Sequence, residues 1–148
     1  MGRKEEVNTK ISSIQVADKM NEWYRAIQNY EVEKSHQLQR EIKQLLNHME
    51  EDQTVLLYYS LLDFRMRLND ENPEQKEKAT KTLKSIDNNE EQLTGILNYY
   101  YWFFKGMYEF KGHNYSAAIS SYKVAEKRVE ELNDDIEKAE YYHIYIMN

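Results

Sequence analysis

The sequence contains no cysteine, a single proline at Pro73 and only four glycines in 148 residues. Without thiols, neither a disulfide framework nor a thiolate zinc site is available. So few breakers leave little room for tight turns, which predicts long helices rather than strands. Long apolar runs are missing as well: charges interrupt every stretch before it could span a bilayer, and mean hydropathy is −0.92. No transmembrane helix is expected. The opening residues, Met1-Gly2-Arg3-Lys4-Glu5-Glu6, are polar and carry no signal-peptide core, so a cytoplasmic location is expected. An excess of positive charge is also absent. The formal net charge is −6, and basic residues are interleaved with acids, as in Lys76-Glu77-Lys78 and Glu126-Lys127-Arg128. Phosphate contacts need clustered Lys and Arg, so a protein partner is expected and a nucleic acid is not. His36, His48, His113 and His143 lie far apart with no acid at ligand spacing, which predicts no metal site and no cofactor of its own. No Ser-His-Asp arrangement or phosphate-cradling glycine loop is visible.

What is present is helical periodicity. Ile11, Ile14, Ala17, Met20, Tyr24 and Ile27 recur at steps of three or four, predicting a helix from about Lys10 to Gln28. Leu38, Ile42, Leu45 and Met49 predict a second, from about Glu33 to Met49. The third, from about Asp52 to Leu68, carries two stripes. Val55, Tyr59, Leu62 and Met66 form one; Leu57, Leu61, Phe64 and Leu68 form the other. A helix apolar on more than one face is either central in a bundle or offers one face to a partner. Both readings stand if different turns do different jobs. Asp52 is suited to cap this helix.

From Asn69 to Gln92 the composition turns polar and reads as a linker, with a helix over Lys76–Ile86 that points Ala79, Leu83 and Ile86 inward. Beyond it, Asn98-Tyr99-Tyr100-Tyr101-Trp102-Phe103-Phe104-Lys105-Gly106 is too aromatic for a free surface helix. Gly112-His113-Asn114-Tyr115 makes a turn before Ala117-Ala118-Ile119, Tyr122 and Ala125. With Gly106 as position eight of a tetratricopeptide repeat, Trp102 takes position four, Ala118 twenty, Tyr122 twenty-four and Ala125 twenty-seven. Position eleven is Glu109 rather than an aromatic residue, and no proline ends the repeat. A further helix starts near Asp134, with Ala139, Tyr142 and Ile146 on one stripe. Stacked repeats bury their faces on neighbours, so a shortened polypeptide is expected, with an apolar edge that favours self-association, possible as a homodimer.

Together these residues resemble a known family. Asn21-Glu22-Trp23-Tyr24, Met49-Glu50-Glu51-Asp52-Gln53 and Leu57-Tyr58-Tyr59-Ser60-Leu61 are similar to signatures of the Rap-type response-regulator aspartate phosphatases of Bacillus. Leu93-Thr94-Gly95, Phe103-Phe104-Lys105-Gly106-Met107-Tyr108-Glu109-Phe110 and Asp135-Ile136-Glu137-Lys138-Ala139-Glu140 follow in the family's order. The resemblance implies an all-α architecture: a three-helix bundle over residues 1–70 that binds a response regulator, a linker over 71–92, and over 93–148 a first tetratricopeptide repeat with the first helix of a second. It implies an aspartyl-phosphate phosphatase acting on a phosphorylated response regulator of the sporulation phosphorelay, with magnesium supplied by that partner. It further implies control by an inhibitory signalling peptide, whose site falls largely outside this chain.

By resemblance Gln53 is catalytic, its amide positioning a water for in-line attack on the phosphoaspartate. Acyl phosphates are already activated, so orientation is the main task left. A carboxamide can accept from the water and donate to a phosphoryl oxygen. From the residues alone, Gln53 reads as an exposed amide at a helix start. Glu51, Asp52, Leu56, Phe64 and Ile96 are the expected regulator contacts, although residues such as Leu56 and Phe64 are more often core than interface. The alternative function is a non-catalytic relative that sequesters a response-regulator transcription factor from DNA. Such relatives depart from Glu-Glu-Asp-Gln, so the intact Gln53 context favours the phosphatase.

Overall fold

A computed structural model describes residues 10–147, the side chains of 145–147 excepted. The polar start at residues 1–9 and the Ile146 side chain of the last stripe lie outside the described residues. The described residues form seven α-helices and one short 3-10 turn, with no strand among them. No helix among them is long and apolar enough to cross a membrane.

Helix α1 spans Ser13–Gln28, opened by the Ser12 hydroxyl, which accepts from the Ile14 N–H. It buries Val16, Met20, Trp23, Tyr24, Ala26 and Ile27. Tyr30 adopts φ 55°, and the Glu31 N–H returns to the Ala26 carbonyl at 3.0 Å, a left-handed reversal of the kind that ends helices. Helix α2, Val32–Leu46, lies against α1 and buries only Ser35, Leu38 and Ile42. Its narrow stripe fits an outer helix.

Helix α3, Gln53–Leu68, is the central one. It packs on α1, on α4 (Pro73–Asp87) and on α5 (Gly95–Lys111). Its buried set runs round the helix and includes Val55, Leu57, Leu61, Leu62, Phe64, Met66 and Leu68. Two apolar stripes are thus answered by neighbours on several sides. Asp63 and Arg65 go inside with them. Asp63 accepts from Gln39 and Arg67, and the Arg65 guanidinium donates to Asn69 at 2.8 Å and lies 5.9 Å from the Phe104 ring centroid.

Much of the expected linker is helix α4. Asn72 caps it through the Glu74 N–H at 2.9 Å, and Pro73 occupies its first turn, where a missing N–H does no harm. Ala79, Leu83 and Ile86 face inward as their spacing predicts. Thr80 meets the Tyr108 hydroxyl at 2.7 Å, and Tyr101 donates to Asp87 at 2.5 Å. The polar composition is that of its outer face, not of an unstructured tether.

Helix α5 forms a hairpin with α6, Tyr115–Leu132, closed by His113 at φ 63° and capped by Asn114. A Cβ placed on Gly106 would lie 2.7 Å from the Tyr122 ring. The pairing of repeat positions eight and twenty-four is therefore a physical contact. Ser121 donates to Glu109 at 2.5 Å, so the departure at position eleven is used as a polar link across the hairpin. Asn133, at φ 55°, turns the chain into α7, Asp135–Met147.

Candidate functional site

The strip between α2 and α3 is fastened to the beginning of α1. The Ile11 N–H donates to the His48 carbonyl at 2.8 Å, and the Glu50 N–H donates back to the Ile11 carbonyl at 3.1 Å. The Glu50 carboxylate then accepts from both the N–H and the hydroxyl of Ser13, at 3.1 and 3.2 Å. Two residues on, Asp52 caps α3 by accepting from the Val55 N–H at 3.2 Å. Of the three acids before Gln53, two thus direct carboxylate oxygens at the protein's own donors, and Glu51 is exposed.

Gln53 is the first residue of α3 and is exposed. It sits at the positive end of the helix dipole, which favours a nearby anion. Leu56, three residues on and therefore on the same side of the helix, is 39% exposed. Ile96, in the first turn of α5, is 37% exposed. It lines a groove of about 210 Å³ with Ala17, Thr54, Tyr58 and Tyr100. The Tyr58 and Tyr100 rings stack there with centroids 6.1 Å apart, and the Tyr58 hydroxyl donates to Asn21 at 2.8 Å. Burial pushes both phenols well above their ordinary range, so they stay neutral donors.

Phe64 does not join this surface. It is 1% exposed and packs on Tyr108, with centroids 5.6 Å apart. Eight residues beyond Leu56, it is turned by about 80° round α3, toward the side that α5 covers. It belongs to the core, and the sequence expectation of a partner contact at Phe64 is corrected accordingly. Thr54, Tyr58 and Asn21 were not singled out from the sequence as surface groups. For Tyr58 the available signal was its place between the two stripes of α3.

In chemical terms the site is an exposed carboxamide at a helix N-terminus with a leucine one turn along, and an apolar groove that begins at the next residue, Thr54. Nothing here is a nucleophile or a strong base. The arrangement can orient a water and grip a protein surface.

Comparison with known proteins gives the chain's family. The family described as response regulator aspartate phosphatase H, N terminal, matches residues 10–69. The chain is 44% identical over 132 residues to response regulator aspartate phosphatase I of Bacillus subtilis (strain 168), covering 86% of this chain and 34% of that protein. It superimposes on the crystal structure of the apo form of RapI with a TM-score of 0.79, and on that of a Rap protein complexed with competence and sporulation factor with a TM-score of 0.77. Sequence identity is 44% in both cases, over 86% of this chain and 35% of theirs. The chain spans about a third of the length of the relatives it matches. With the N-terminal family model matched over residues 10–69 and 44% identity over 86% of its length, this chain belongs to the Rap family and corresponds to the N-terminal region of its members.

Proposed function

We propose that this chain binds a phosphorylated response regulator through the face bearing Gln53, Leu56 and Ile96, and that Gln53 directs water onto the phosphoaspartate. The observation that carries the reading is the exposure of Gln53 at the N-terminus of α3, with exposed Leu56 one turn along and, from neighbouring Thr54, a groove able to hold a partner's apolar side chains. The amide accepts from the water and donates to a phosphoryl oxygen. The partner's own magnesium and basic residues would supply the charge neutralisation. Positioning of this kind lowers a barrier by on the order of a few kcal/mol, a hundredfold or more in rate. The capped acids support the reading, because Glu50 and Asp52 aim oxygens at Ser13 and Val55. The substrate proposed is the intermediate response regulator of a sporulation phosphorelay. The signalling peptide that the matched complex contains would act through repeats that follow this region in longer relatives.

The test is to add catalytic amounts of the chain to a panel of phosphorylated response regulators and follow phosphate loss. Loss should accelerate for one regulator, and Gln53→Ala should remove about a hundredfold or more of that acceleration while leaving binding intact. Unchanged turnover in Gln53→Ala would end the catalytic role. Binding that displaces a regulator from DNA without releasing phosphate would transfer the chain to the sequestering class.

A further inference from the structure

Helix α7 directs two carboxyl groups inward, Glu140 to the N-terminal bundle and Glu137 to the hairpin. Glu140 accepts from the Tyr24 hydroxyl of α1 at 2.6 Å and from the Gln28 amide of the same helix. Glu137, one turn earlier, accepts from the Tyr100 hydroxyl of α5 at 2.8 Å. Its other oxygen, Oε2, is buried without a hydrogen-bond partner among the described residues. The two Glu140 bonds join residues 116 and 112 positions apart in sequence. Tyr141 of α7 also donates to the Tyr122 carbonyl of α6 at 2.8 Å and packs edge-on against Tyr99 and Phe103 of α5.

We propose that Glu137 and Glu140 form a latch that docks α7 on α1 and α5, with Glu137 as its proton-sensitive member, and thereby ties the repeat to the N-terminal bundle. The proposal does not depend on the function assigned to Gln53. Tyr100 belongs to the groove wall as well as to the latch, so docking of α7 also fixes the shape of that groove.

The electrostatics give the latch its direction. The groups that interact electrostatically with Glu137 are Tyr24 of α1, Tyr58 of α3, Tyr99 and Tyr100 of α5, and Asp134 and Glu140 around α7 itself; Arg65 of α3 acts on Tyr24, and Tyr141 of α7 on Tyr99. Burial, then Glu140 and Asp134, push the Glu137 carboxyl up from 4.5 to about 7, against the lowering effect of the Tyr100 bond. The surrounding phenols are raised far above neutrality by the same burial and do not titrate in the relevant range. Docking therefore favours protonated Glu137, which keeps the Tyr100 bond through its carbonyl oxygen. That contribution is complete below the solvated value of 4.5 and is lost as pH rises through about 7. Ionised Glu137 would leave a charged, unpartnered oxygen in the interface.

The experiment uses the absence of native cysteine. Asp18→Cys on α1 and His143→Cys on α7, both exposed, accept spin labels for a distance measurement at pH 5.5 and pH 8. A narrow distance at the lower pH should give way to a broad, longer component. Its share relative to the docked form should grow about tenfold, the linkage expected for this shift after allowance for partial solvent screening. Glu137→Gln, neutral at both pH values, should hold the narrow distance throughout. Glu140→Ala should lengthen the distance at both. A pH-invariant distance in the parent chain, an undiminished pH response in Glu137→Gln, or an unaltered distance in Glu140→Ala would each overturn the latch.

Discussion

Gly106 shows how one missing side chain sets the geometry of an entire hairpin. The Tyr122 ring occupies the space where a Cβ would stand, at 2.7 Å, so α5 and α6 approach by that margin. Gly106→Ala should lower stability by about 1–3 kcal/mol, the usual cost of overpacking, read as a lower urea midpoint with an unchanged slope. Pairing it with Tyr122→Leu should recover part of the loss, because the flexible side chain can yield. No recovery in the double variant would mean that the penalty arises elsewhere on α5. This contact was legible in the sequence, since the repeat pattern demands a small residue opposite a large one. Gln53 was not legible in that way. Its residue type and position mark only an exposed helix-start amide, and the resemblance alone assigned it chemistry. Phe64 was misplaced because two apolar stripes on α3 do not reveal which one a neighbour covers.

At the level of the helix, α3 begins with a division of labour between adjacent residues. Asp52 serves the backbone, through Val55, while Gln53 faces outward. Asp52→Ala should cost about 1 kcal/mol of stability, whereas Asp52→Asn, an equally good cap, should cost little. Thermal midpoints of the two variants check this. If Asp52 also meets a partner through its charge, Asp52→Asn will weaken regulator binding with its midpoint unchanged, which separates capping from contact. Helix identities followed from apolar spacing, and Asp52 was legible as a cap. The caps at Ser12, Asn72 and Asn114 were not, so α1 starts at Ser13 rather than near Lys10 and α4 at Pro73 rather than Lys76. Nor was the depth of α4. Its residues outside Ala79, Leu83 and Ile86 are polar, and only the three-dimensional arrangement shows α3 waiting to receive that stripe.

Over the whole molecule a single apolar cluster runs from Val16 in α1 to Tyr141 in α7. No layer of solvated residues divides bundle from repeat, as Tyr24 packing edge-on against both Tyr100 and Phe104 illustrates. The chain should therefore unfold as one unit. Trp23, buried in α1, and Trp102, half-buried in α5, report the two halves separately. Single-tryptophan variants made with Trp23→Phe or Trp102→Phe should melt with the same dependence on denaturant as their own helical circular dichroism. A hairpin signal that persists after the helical signal of the bundle has collapsed would contradict the shared core.

The short parallel pairing of Ile11 with Met49 gives the residues just ahead of α1 an influence out of proportion to their number. The chain leading to Gln53 leaves α2 with no regular structure of its own, and its aim is borrowed from a backbone neighbour nearly forty positions upstream. Whatever disturbs that upstream edge, whether a cleavage, a fused peptide or a bulky modification at the serines beside it, acts on the outward-facing amide at a distance, without altering a single residue of the helix that bears it.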